Sequence, residues 1–268
     1  MSPLFKDTVV IELHPQRLVL TRWSRGIAPR RAARHEQMLA AGEGALTAGL
    51  QECLADPRWQ DADARVQVSN AQVRYCIVPP SRHLRGMADE CALALHKFQQ
   101  VHGAQAALEV RLANPLSGKD QLAAAIDASL IADVRQLLLG ARLRLRSFEP
   151  MLTQGFNQVR HQIRDKDFWF AQAEPGLLVL ASLSGGRWLS VVAVPLAEPI
   201  CTALPALLRE ARLMAGGRYF PRRLYLQAPG MDGRDCLAGS DVELVDLSQV
   251  RPTRYARFAL GAGSALEC

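Results

Sequence analysis

The chain has 268 residues, 49% of them hydrophobic and 22% charged, which supplies a full core and excludes a disordered chain. Its formal net charge of +6 favours an acidic partner: nucleic acid, an anionic membrane surface or an acidic protein patch. No segment offers the ~20 continuous apolar residues of a membrane helix, and the opening MSPLFKDTVVIELH lacks the basic and apolar regions of a secretory signal.

Thr8 to Leu13 is β-branched and apolar, and Arg17 to Trp23 alternates. His14, Pro15 and Gln16 separate them, which predicts a hairpin. Arg25 to His35 is arginine-rich and suits an edge strand. Leu46 to Leu54 predicts a short helix and Arg65 to Ser69 a strand. Val73 to Val78 is another strand, stopped by Pro79-Pro80, and Met87 to Val101 is helical, with Cys91, Leu95 and Phe98 on one face. Leu108 to Leu112 reads as a strand and Asn114 to Lys119 as a turn.

Gln121 to Ile126 is an apolar run of strand length. Asp127 or Ser129 is placed to cap a helix, and Leu130, Ile131, Val134, Leu137 and Leu138 form one helical stripe. Gly140 is suited to end it, and Arg142 to Phe148 alternates like a strand. Strand, helix and returning strand predict a parallel pair with a right-handed crossover. Pro150 opens a second helical segment carrying Met151, Leu152, Phe156 and Val159.

Phe168 to Ala173 and Leu177 to Leu183 are strands joined by the turn Glu174-Pro175-Gly176. Ser184 to Arg187 is a second turn and Trp188 to Val194 a third strand. A helix from Ile200 to Met214 and strands at Leu224 to Gln227 and Val242 to Leu247 follow. Hairpin, third strand, helix and strand thus occur twice, with an insert between them. The expected fold class is α/β with mixed sheets, built from two halves of one plan with an insert in the first. The expected division is residues 1–165, with the insert at about 73–149, then 166–250, then a partly disordered tail at 251–268.

Each half resembles a ribonuclease-H-like subdomain, and two ribonuclease-H-like subdomains with an α+β insert in the first resemble the plan of the actin-like ATPase fold. RVQVSNAQVRYCIVPP (Arg65 to Pro80), Leu122 to Arg160, and Phe168 to Pro195 more specifically resemble the PilM family of type IV pilus assembly. They are also similar to the cytoplasmic part of the GspL-type proteins of type II secretion. The resemblance implies a cytoplasmic protein at the inner face of a bacterial inner membrane. It would bind a short cytoplasmic segment of an inner-membrane partner, near Arg65 to Val78 and the opening strands, with a homodimer as a further option.

In this fold two glycine-bearing hairpins grip the phosphates of ATP, and an acid in the first helps hold magnesium. Here Val10 to Gln16 reads VIELHPQ, so Glu12 stands for the acid, but Leu13 replaces the expected glycine and Pro15 has no N–H. The second hairpin is expected at Leu180 to Arg187, LASLSGGR, which has no acid, with Ser184, Gly185 and Gly186 as the nucleotide-binding residues of a surviving site. In LYLQAPGMDG, Gly230 and Gly233 fall where the family has its adenosine contact. The resemblance therefore implies a degenerate nucleotide site and a non-catalytic scaffold, with no cofactor, no catalytic residues and no metal. The alternative is an active Mg-ATPase using Glu12. A third reading is a basic nucleic-acid binder, set against an aromatic content of only 6% with no stacking platform beside the arginines.

The chain carries no P-loop, nucleophile-elbow or zincin motif. Its histidines show no ligand spacing, and Asp232, Asp235 and Asp241 miss the calcium-loop pattern. None of the six cysteines has C-x-x-C spacing, and several sit in apolar patterns, as in Tyr75-Cys76-Ile77-Val78. They are expected to be reduced, in the cytoplasm.

Overall fold

The computed structural model describes residues 6–26, 28–42, 44–80, 86–103, 107–113, 120–214, 220–231, 233 and 235–248. Thr8–His14 (β1) and Arg17–Trp23 (β2) form the expected hairpin, closed by the His14–Arg17 pair. Alternation along β1 sends Val9, Ile11 and Leu13 to one face, where all are buried. The charged strand Arg31–Met38 (β3) adds to β2 and stays at the edge. It begins later than expected, because Ser24 N–H bonds Arg30 C=O at 2.9 Å and closes a loop there. Helix Ala45–Ala55 (α1) carries the chain back, so Asp63–Val68 (β4) lies parallel to β1.

The insert follows. Arg74–Val78 (β5), helix Met87–His102 (α2), Leu108–Leu112 (β6) and Gln121–Asp127 (β7) build a separate antiparallel sheet in the order β5-β7-β6. Ala123 and Ala125 of β7 meet Ala94 and Phe98 of α2 in a small core of its own.

The expected parallel pair is not formed. Both edges of β7 are taken, by β5 and β6, so the returning strand Arg144–Pro150 (β8) pairs instead with β4 in the first sheet. Helix Ala128–Gly140 (α3) gives Ile131, Val134 and Leu138 to the first core, beside α1. The insert's sheet therefore closes at β7, and α3 and β8, expected within the insert, belong to the first half. Asp127 precedes α3, but its carboxylate accepts from Arg74 at 2.8 Å and makes no cap. After α3 the left-handed residue is Arg142 (φ 55) rather than Gly140, and its guanidinium holds Asp61, also left-handed (φ 56), at 2.6–2.7 Å.

Helix Met151–Val159 (α4) leads into the second half: Asp167–Glu174 (β9), Leu177–Ser184 (β10), Arg187–Pro195 (β11), helix Ile200–Met214 (α5), Arg223–Gln227 (β12) and Glu243–Asp246 (β13). The order β11-β10-β9-β12-β13 reproduces β3-β2-β1-β4-β8 strand by strand, as the repeated pattern predicted. Leu204, Leu207 and Leu208 of α5 cover one face. The other face is covered by α4 and the insert, where Phe156 packs on Phe168, Phe170 and Trp188, and Leu122 of β7 joins them. Hydrophobic packing thus ties the insert to both halves.

Cys201, in the first turn of α5, is disulfide-bonded to Cys236, 35 residues away in sequence. These two, and Cys91, which is also disulfide-bonded, are not the reduced thiols expected; the Cys201–Cys236 pairing is long-range, so no short spacing announces it. Cys53 and Cys76 are free. The tail 251–268, the turn 114–119, Arg218 and Asp232 lie outside the described residues.

Candidate functional site

The equivalence of the sheets makes β9–β10 the counterpart of β1–β2. The two hairpins turn through His14-Pro15-Gln16-Arg17 and Glu174-Pro175-Gly176-Leu177. Each has proline in its turn, which removes an N–H from the backbone at that point. Gly176 follows at φ 79, the left-handed geometry that glycine adopts freely.

The ends of β1 and β9 meet. His14 Nδ1 lies 3.6 Å from Glu174 Oε2, and both side chains are buried. On the other side of the ring, Arg17 Nη2 is 3.1 Å from Nε2, and Glu12 Oε2 is 3.8 Å away. Arginine only donates, so in the neutral ring Nε2 accepts and the proton sits on Nδ1, towards Glu174. Burial disfavours charge on His14, but the carboxylates of Glu12 and Glu174 outweigh it and raise the pKa above the ordinary value.

Asn70 is the hub. It follows β4, in the short helical turn Asn70–Gln72, and is 2% exposed. Its backbone N–H donates to Glu174 Oε1 at 3.0 Å, and its side-chain amide donates to Gln172 Oε1 at 3.0 Å and to Glu174. Its carbonyl oxygen accepts from the Tyr75 hydroxyl and from Leu152 N–H at 3.0 Å. Burial, and then the Glu174 charge, push the Tyr75 hydroxyl well above its usual pKa, so it remains a donor. Gln172 Nε2 donates in turn to Met151 C=O at 3.0 Å and Gln227 Oε1 at 3.1 Å. Gly155 lets α4 approach: a Cβ there would stand 2.2 Å from Gln227 Oε1 and 2.3 Å from Gln172 Nε2. One buried polar clasp therefore joins β1, the β4 end, β5, α4, β9 and β12.

Glu12 is in this region, partly exposed at the end of β1. Ser184, Gly185 and Gly186 are not. They close the β10–β11 turn, where Ser184 pairs with Asp167 at the start of β9 and Gly185 N–H bonds Lys166 C=O at 2.7 Å. A strand of this length puts them roughly 24 Å from Glu174. The structural partner of the first hairpin is Glu174 to Leu177, and Gln172 is the counterpart of Glu12. Gly230 (φ 78) serves a turn after β12, and Gly233 makes room for Leu226, whose Cδ2 would lie 2.3 Å from an added Cβ.

Sequence reasoning missed Asn70, Gln172, Glu174 and Gln227. A signal was present: β9 and β12 are apolar strands that each end in a polar residue, as in FWFAQAE and RLYLQ.

Arginines that the nucleic-acid reading would set against phosphates are paired with acids instead. Arg142 binds Asp61, Arg144 and Arg146 both reach Asp63 at 3.0 Å, and Arg223 bridges Asp165 and Glu243. Among the described residues no group of histidine, cysteine and acidic side chains is placed to hold a metal. No helix among them is long and apolar enough to cross a membrane.

No family model matches the sequence, and no curated protein matches it. Solved structures do. A protein of actin-like ATPase fold and unknown function from Bacteroides thetaiotaomicron superposes with a TM-score of 0.64 at 12% identity, over 95% of each chain. The PilM–PilN type IV pilus biogenesis complex gives 0.62 at 18% identity, over 89% of this chain and 88% of the other. The cytoplasmic domain of EpsL, an inner membrane component of the type II secretion system of Vibrio cholerae, gives 0.56 at 11% identity, over 91% and 88%. The chain has the actin-like ATPase fold.

Proposed function

We propose that the chain is a non-catalytic scaffold of a type IV pilus or type II secretion-like assembly, binding a cytoplasmic segment of an inner-membrane partner. The observation that carries this reading is the clasp. In an actin-like fold the ends of β1 and β9 face the nucleotide phosphates. Here those ends are occupied by His14, Asn70, Gln172 and Glu174, bonded to one another across the halves. A buried carboxylate at Glu174 would repel a polyphosphate brought to these strand ends, and Pro15 and Pro175 remove turn N–H groups. These features count against a magnesium-bound triphosphate and support a scaffold that works without a cofactor.

The likeness to PilM in its complex with PilN and to cytoplasmic EpsL supports a partner at the inner membrane. The segment would lie near Arg65 to Val78 and the opening strands, between the first half and the insert. Calorimetric titration with Mg-ATP and with ADP tests the cofactor-free part. No heat at millimolar nucleotide is expected. Micromolar binding that Glu12→Ala abolishes would overturn it in favour of an active ATPase. Titration with N-terminal peptides of inner-membrane proteins encoded alongside the chain tests the rest, and failure of all of them would remove the scaffold reading.

A further inference from the structure

On the outer side of the second half a cavity of about 230 Å³ opens between α5 and the turn leading to β13. Leu208 of α5, Phe220, Leu237 and Val242 make it apolar. Two contacts link its walls. The Cys201–Cys236 disulfide ties the first turn of α5 to the residues just before Leu237. At the other end Arg212 bonds Asp241 at 2.6 Å and lies 4.4 Å over the Phe220 ring.

The volume is below the ~300–1,000 Å³ of small-molecule sites and matches a pocket for one large anchoring side chain. The rim is cationic at one end. Arg209 is exposed, borders the cavity and makes no ion pair or hydrogen bond with a described residue. Asp241 already neutralises Arg212, so an incoming anion is received at Arg209. One helical turn beyond Arg209, Leu213 is 76% exposed and extends the apolar surface.

We propose that this cavity docks an acidic segment of a partner protein, which inserts one aromatic side chain against Phe220 and sets a flanking carboxylate on Arg209. The surface is separate from the one assigned above to the membrane partner, which lies against the first half. Aromatic anchors in preformed pockets carry much of the energy of such interfaces, and the carboxylate fixes their direction.

Amide correlation spectra of the full chain, titrated with acetyl-Glu-Glu-Trp-Glu-Glu-amide, test this. Saturable shifts are expected at Leu208, Leu237 and Val242, with the matching lysine peptide at least tenfold weaker. Arg209→Glu should weaken binding by about tenfold, ~1.4 kcal/mol. Arg30→Glu, an equal charge change on an exposed residue of the first half, should leave it unchanged. An unchanged Tm in both variants keeps folding out of the comparison. No saturable shift up to about 10 mM peptide, equal binding of the lysine peptide, or equal loss in Arg30→Glu would overturn the proposal. A variant that loses the acidic peptide yet still binds a membrane-partner segment separates this surface from the other.

Discussion

At the scale of the residue, His14 shows how far burial and charge can oppose each other. Its ring is buried, which favours the neutral form, yet two carboxylates and one guanidinium address its nitrogens. The carboxylates prevail and the folded-state pKa lies above the ordinary 6.5. A histidine whose pKa rises on folding adds stability that is fully present below the unfolded pKa. That stability is lost as pH rises through the folded pKa. The Tm advantage of the parent over His14→Gln should therefore be largest below about pH 6.5 and shrink above it. Thermal scans across pH check this, and a gap independent of pH would show that the imidazolium contributes nothing. Glu12 and Asn70 mark how much of this region the sequence discloses. Glu12 stands out as an acid in an apolar strand next to a turn. Asn70, in SNAQ, looks like any polar turn residue. Only burial to 2% and bonds to residues more than 100 positions away make it the hub.

At the scale of the element, α4 packs by what it lacks. Replacing Gly155 with alanine would raise helix propensity by ~1 kcal/mol. The new methyl, however, would enter the space of Gln172 and Gln227 and displace the two bonds donated by Gln172 Nε2. Each buried polar group left unpaired costs ~1–3 kcal/mol, so the packing loss wins. Gly155→Ala should destabilise by roughly 1–3 kcal/mol in urea melts, and the penalty should largely vanish in a background carrying both Gln172→Ala and Gln227→Ala. A stabilised single variant would mean the amides simply move aside. The strand–helix–strand from β7 to β8 teaches a related point. Its local pattern was legible and its elements formed, but pairing depends on which edges remain free, and β5 and β6 had taken both edges of β7.

At the scale of the whole molecule, hydrophobic packing and the clasp join the halves in different ways. The aromatic cluster around Phe156 is non-directional and tolerates sliding. Asn70 is directional and fixes one orientation. Asn70→Ala would remove four side-chain bonds and leave Gln172 Oε1, Glu174, Leu152 N–H and Tyr75 each without a partner it now has. The expected loss is ~3–5 kcal/mol, as for breaking a buried charged contact. Faster amide exchange should appear at the ends of β9 and in α4, where the halves meet. A variant as stable and as protected as the parent would show that the aromatic cluster alone holds the halves together.

Composition and periodicity by themselves determined the elements, their doubled order and hence the α/β class, because a strand or helix needs only its own apolar face to declare itself. The fold resemblance followed from that order. Tertiary structure alone decided three things. It chose which hairpin is the counterpart of the first, since Glu174 to Leu177 and Ser184 to Arg187 are equally good turns and only the sheet order separates them. It paired Cys201 with Cys236. It also brought Asn70, Gln172, Glu174 and Gln227 together from three separate segments. Hydrogen bonds act over about 3 Å, and no period in the sequence records which distant side chains will come that close.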